Sequence, residues 1–208
     1  MMLGARTAAW SGKQLPYLRR VACLQSTGTQ YIDAPIHASS ELSIDIVFEN
    51  SGTPTVNSNP LGAILTSPRM RHHLNFDNVI GGLNYYFING DSLVKLNKSV
   101  ADGNRIHLIV DAENHLISAE DELGKIIASV DQGYGWDTGI NYRLFARAGV
   151  EYYAKIKIYG AKLWDGKKNI SLIPVLDLSG RPAMYDEVSE QFFYNQGTGE
   201  FTWGELET

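Results

Sequence analysis

The residues most able to do chemistry in this 208-residue sequence fall in three places: an acidic strand, a set of histidines and one aromatic loop. Asp45 and Glu49 sit on the segment Ser43-Ile44-Asp45-Ile46-Val47-Phe48-Glu49. Two acids on one strand invite a glycosidase reading, in which one carboxyl protonates the leaving oxygen and the other, about 5–5.5 Å away in a retaining enzyme, acts as nucleophile. A half-exposed strand with a polar outer face accounts for the same residues. Among the histidines, His72 and His73 are adjacent and so point to opposite faces of a strand, while His107 and His115 flank one hairpin. No Cys/His spacing matches a zinc site, which leaves packed or solvated histidines. The third place is residues 132–142, QGYGWDTGINY. Tyr134 and Trp136 could stack on the apolar side of a sugar ring, Asp137 and Asn141 could take its hydroxyls, and the glycines let the backbone approach closely. Asp131, Asp137 and Asn141 also have the composition that calcium prefers, although one loop rarely supplies the roughly 6–8 oxygens required. Such residues are also plain turn formers, and Trp136 could equally fold back on a sheet edge. Nucleophile elbows and phosphate-cradling glycine loops are absent.

The elements that must carry these residues are strands. Leu42, Ile44, Ile46 and Phe48 alternate with Ser43, Asp45, Val47 and Glu49, which is period 2 with one apolar face. Ile106, Leu108 and Val110 repeat the pattern, as do Ala154, Ile156 and Ile158. Beyond Gly160 the apolar phase shifts to Ala161 and Leu163, and a slip at a glycine predicts a β-bulge. Asn89-Gly90, Ala112-Glu113-Asn114, Asp165-Gly166 and Gly197-Thr198-Gly199 punctuate the runs as turns. Residues 118–127 could be a short helix, but Gly124 and the pair Ile126-Ile127 favour a hairpin. Many short strands at regular spacing predict an all-β sandwich over residues 17–208. Residues 1–16 have no strand pattern, yet carry Leu3, Trp10 and several alanines. They read as an arm that docks on a neighbouring subunit.

Composition narrows the function classes. Hydrophobic residues make up 44% and charged residues 20%, as in a globular domain. Eighteen Lys and Arg against 23 Asp and Glu give a net charge of −5, which argues against nucleic acid as a partner. No apolar run is long enough for a transmembrane helix, and residues 1–10 lack a secretory layout, so no membrane partner and no signal peptide are expected. The single cysteine, Cys23, lies in an apolar stretch and should be a buried thiol. Arg69 to His73 and Tyr85 to Phe87 mix Arg, Met and aromatic residues in a way found at protein interfaces.

Residues 24–33 (LQSTGTQYID) and 184–201 (MYDEVSEQFFYNQGTGEF), with 154–159 (AKIKIY) and 172–175 (LIPV), go beyond composition. Together they resemble a concanavalin A-like lectin/glucanase domain of the laminin-G type, over about residues 17–204, of the kind found in phage structural proteins and gut-bacterial surface proteins. The resemblance implies a two-sheet antiparallel jelly-roll sandwich in which Tyr31-Ile32 lies near Phe192-Phe193. It departs at Cys23, where an aromatic is common, and at Ala34-Pro35. The glucanase branch carries its acids as Glu-x-Asp-x-x-Glu, and Ser43 stands where the first Glu would be, so no catalytic residue is assigned. Laminin-G relatives can hold calcium with loop carboxylates; no cofactor is assigned, with calcium as the alternative. The resemblance does not itself select a function, because one fold hosts many. Two readings follow. The first is a non-catalytic structural or receptor-binding (adhesion) component of a phage or phage-like particle, on a virion or outside the cell, docked through the arm as a homo-oligomer. The second is a surface or secreted carbohydrate-binding module using Tyr134, Trp136, Asp137 and Asn141.

Overall fold

Period-2 alternation is realised as strand after strand. The computed structural model describes residues 15–52, 58–65, 70–77, 84–89, 92–99, 103–130, 135–149 and 152–206. Its strands are β1 (Tyr17–Arg20), β2 (Cys23–Gln25), β3 (Ile32–Ser39), β4 (Ser43–Asn50), β5 (Leu61–Leu65), β6 (Met70–Asp77), β7 (Asn84–Asn89), β8 (Ser92–Ser99), β9 (Arg105–Asp111) and β10 (Leu116–Asp121). The chain continues as β11 (Gly124–Ser129), β12 (Asp137–Leu144), β13 (Ala146–Arg147), β14 (Tyr152–Tyr153), β15 (Ile156–Trp164), β16 (Asn169–Asp177), β17 (Pro182–Asp186), β18 (Gln191–Phe193) and β19 (Thr202–Gly204). No helix occurs among the described residues. The larger sheet has 11 strands ordered β11-β10-β9-β4-β15-β16-β17-β18, with β1 on β16 and β2 joining β15 to β19. The smaller has six, ordered β3-β12-β5-β6-β7-β8, and β13 pairs with β14 apart from both. The protein is a two-sheet antiparallel sandwich.

Alternation places the apolar rows between the sheets. Ile44, Ile46 and Phe48 of β4 and Leu108 and Val110 of β9 face Leu74, Phe76, Phe87 and Leu144 of the smaller sheet in one buried cluster. Each such side chain contributes about 1.5–3 kcal/mol by leaving water. The bulge predicted at Gly160 is present: Ile158 pairs with Phe48 and Gly160 with Val47, leaving Tyr159 as the extra residue. Residues 118–127 form the β10–β11 hairpin, with Ala119 opposite Ile126. Lys98 reaches from β8 to Asp121 at 2.8 Å, a buried ion pair that ties the smaller sheet to this hairpin.

The two terminal motifs interlock. Tyr31 N–H donates to Asn195 Oδ1 at 3.1 Å, Gln196 N–H to the Tyr31 carbonyl, and Thr198 N–H to the Thr29 carbonyl. Gly197 is required there, since a Cβ would sit 1.9 Å from the Thr29 oxygen. Phe192-Phe193 itself pairs with β17, and it is the following Asn195-Gln196 that meets Tyr31; the last strand, β19, pairs with β2, with Trp203 opposite Leu24. On the outer face of the larger sheet, Ile173, Val175, Ala183 and Tyr185 form a second small apolar cluster under Tyr17 and Phe192. Cys23 is a buried free thiol, and burial raises its pKa. Residues 1–14 of the arm lie outside the described residues, as do Arg69 and the side chains of Tyr85 and Tyr86. His72, His73 and Phe87 are buried, which corrects the interface reading for those three.

Candidate binding cleft at one end of the sandwich

Strand β4 presents Asp45 and Glu49 on the outer face of the larger sheet, because Ile44, Ile46 and Phe48 take the inner one. Four residues apart on a strand means roughly 13 Å, beyond the separation of either a retaining or an inverting acid pair. Each acid is also engaged. Asp45 faces His107 Nε2 at 2.7 Å. Glu49 accepts from Lys157 Nζ at 2.5 Å and Tyr159 Oη at 2.6 Å. Burial alone would raise the Glu49 pKa, but the hydrogen bonds from Lys157 and Tyr159 outweigh it and hold the carboxyl below its usual range. A general acid needs the opposite shift. Ser43 Oγ accepts from Ala112 N–H at 2.9 Å and so pins a turn.

The aromatic loop is partly described. Tyr134 and Asp131 lie outside the described residues. Trp136 is half-buried, and its carbonyl accepts from Ser40 N–H at 3.0 Å. Thr138 Oγ1 donates to the Ala38 carbonyl at 2.9 Å, a second tie to the end of β3. Asp137 Oδ1 accepts from Gly139 N–H at 2.7 Å, across a bulge where Gly139 has φ +64°, and its other oxygen lies 3.3 Å from His37 Nδ1. Burial raises the Asp137 pKa, but the Gly139 N–H and His37 together hold it below the usual range. Asn141 is exposed and pairs in register with His37 on the same outer face. Asp137 and Asn141 are therefore brought together against His37, while Trp136 turns its backbone toward Ser40. Among the described residues no three His, Cys, Asp or Glu side chains gather as metal ligands.

Beside this loop, turns from separate parts of the chain enclose a cleft of about 440 Å³. Glu41 comes from the β3–β4 turn, Glu113 and His115 from the β9–β10 turn, and Trp164 and Asp165 from the end of β15, with Gly135 of the aromatic loop closing the rim. Asp165 is fixed by its own turn, where Oδ1 accepts from Lys167 and Lys168 N–H at 3.0 and 2.8 Å. Trp164 is held at the end of β15, between Ser43 of β4 and Asn169 of β16. The cleft combines one half-buried indole with three carboxylates and an imidazole. Sequence reading took Glu113 and Asp165 as turn residues and gave Trp164 no role. The signal available was a tryptophan directly before an Asp-Gly turn.

No family model matches the chain, and no curated protein matches it in sequence. Solved structures align with it. A Bacteroides ovatus protein provisionally described as carbohydrate binding superposes with a TM-score of 0.61 at 11% identity, over 91% of this chain and 61% of that one. The chain thus spans less than two thirds of that protein. The full extracellular region of zebrafish Gpr126/Adgrg6 aligns at 10% identity with a TM-score of 0.47, over 89% of this chain and 26% of that one. The CBM40 of Ruminococcus gnavus IT-sialidase, bound to alpha2,3 sialyllactose, aligns at 15% identity with a TM-score of 0.29, over 67% and 76%. At these identities the first likeness establishes the β-sandwich class alone.

Proposed function

We propose that this protein is a non-catalytic carbohydrate-binding β-sandwich module that seats a neutral sugar in the cleft at Trp164. The observation that carries the reading is the composition of that cleft: an indole to stack on the apolar side of a pyranose, ringed by Glu41, Glu113, Asp165 and His115 to take its hydroxyls. Three carboxylates disfavour anions there and suit an uncharged, hydroxyl-rich ligand. The fold shared with the Bacteroides ovatus protein is compatible with this role and does not by itself establish it. The engaged state and wide spacing of Asp45 and Glu49 support a binding role over hydrolysis. The alternative of a phage-like particle component rests on the arm, which lies almost wholly outside the described residues.

The test is a glycan array with the full chain and with Trp164→Ala. We expect binding to neutral glycans, lost in the variant, with a melting temperature close to that of the parent. An array without any retained glycan, or binding indifferent to Trp164→Ala, sinks the proposal.

A further inference from the structure

The larger sheet ends at β11 in an edge that the cleft does not use. β10 and β11 close on a two-residue turn, Glu122-Leu123, and pair without a break from Asp121 opposite Gly124 to Leu116 opposite Ser129. One step beyond, Val130 N–H donates to the His115 carbonyl at 2.9 Å. That bond fixes the phase of the ladder. In an antiparallel pair only alternate residues direct their N–H and C=O at the neighbouring strand, so Gly124, Ile126 and Ala128 bond to β10. Lys125, Ile127 and Ser129 turn theirs the other way, to the edge, where no described residue hydrogen-bonds to them.

An open strand edge is a template for pairing with another chain, and folded proteins blunt such edges. The other edges of this molecule are blunted. β1, β18 and β19 have only four, three and three residues. β3 carries Pro35, which has no N–H to give, and β8 bulges around Asn97, whose φ is +50°. β11 instead runs six residues in unbroken register. The side chains of Lys125, Ile127 and Ser129 are exposed on its outer face, Ile127 to 64%. On its inner face Ile126 and Ala128 are only half-buried against the core, so the apolar layer between the sheets is open at this rim.

We propose that β11 pairs edge to edge with β11 of a second copy of this chain, antiparallel about a two-fold axis at Ile127, joining the two larger sheets into one. The strand's own register argues for a second copy. With the axis at Ile127, every residue that turns its backbone to the edge gains a partner: Ile127 meets its own counterpart, and Lys125 meets Ser129 on either side. An apolar pair then sits at the centre, and the one charge on the strand is never set against its like. Ile126 and Ala128 meet each other on the inner face and close the open rim. The pairing does not depend on the glycan-binding reading.

Sedimentation equilibrium of the full chain over a range of concentrations should show monomer and dimer in exchange. Two substitutions at an exposed site test the register. Ser129→Lys sets an added lysine against Lys125 of the second copy, twice per dimer, and should weaken association about tenfold; Ser129→Glu should tighten it by about the same factor. Within its own chain this position faces the neutral Leu116, and the melting temperature of each variant in dilute solution checks that the fold is kept. Amide hydrogen exchange, followed by NMR, should show protection at Lys125, Ile127 and Ser129 that rises with protein concentration, while Ile126 and Ala128 are protected throughout. A chain that stays monomeric at about millimolar concentration overturns the proposal. So does a dimer that ignores both Ser129 substitutions, or one that leaves the Lys125, Ile127 and Ser129 amides exchanging freely, which would place the contact elsewhere, as through residues 1–16.

Discussion

His72 brings both ring nitrogens into the core with no hydrogen-bond partner for either, edge-on to Phe87 and Tyr142 at 4.9 and 5.4 Å. Burial lowers its pKa to about 3, opposed only by the nearby Leu42 and its own backbone, and His73 is lowered well below its ordinary value by burial and its arginine neighbours. The unfolded chain binds protons at about 6.5, so the stability these neutral imidazoles lend is complete above that pH. It is lost as pH falls from 6.5 toward 3, at about 1.4 kcal/mol per pH unit for each histidine once well below 6.5. Urea unfolding at pH 7.5, 6.0 and 5.0 should show that decline, with His72→Phe removing about half of the slope; an unchanged slope in the variant would exclude His72 as its source. That adjacent histidines take opposite faces was legible from strand geometry. That both are buried was not, because it depends on β13 and Tyr152 covering an outer face that alternation alone would leave wet.

At the scale of elements, the sequence speaks clearly where one strand carries its own pattern. The phase slip at Gly160 announced the bulge, and the Gly124 and Ile126-Ile127 chemistry announced the β10–β11 hairpin. The packing of β13 against β5 had no such signal, since two-residue strands have no period to read. Its requirement is visible at Gly149, where φ is +84° and a Cβ would stand 2.0 Å from the Ile64 oxygen, while the pairing of β5 with β6 makes its own demand at Gly62, where φ is +135° and the His73 Cβ allows no side chain. Gly62→Ala should therefore cost roughly 2–3 kcal/mol or more through clash and backbone strain together. Chemical denaturation would measure it, and a change under 0.5 kcal/mol would show that β5 and β6 can separate freely. The aromatic loop illustrates the intermediate case. Its residue types suggested a site, but Trp136 and Thr138 spend backbone and hydroxyl on fixing the loop to β3.

The whole molecule creates the cleft by bringing turns near residues 41, 113, 135 and 165 to one end of the sandwich. In the sequence, residues 112–114 and 165–166 read as isolated turns, residues 132–142 as a separate loop, and Glu41 gives no signal, because separation along the chain hides which turns meet until strand order is known. Among the described residues the first strand, β1, starts at Tyr17, which packs on the outer cluster of Ile173 and Tyr185. A chain truncated to begin at Tyr17 should keep its melting temperature within a few degrees, and a loss of cooperative unfolding would make the preceding residues part of the fold. The proposed sugar seat at Trp164 lies in this cleft. Its most direct measurement is a titration of the full chain with a neutral glycan retained on the array, following the tryptophan indole Nε1–H signals, Trp164 and Trp203 among them. The Trp164 signal should move and saturate together with the Glu41, Glu113 and His115 amides, while Trp203 stays still. Saturating shifts that leave Trp164 unmoved and gather elsewhere on the sandwich would contradict the account.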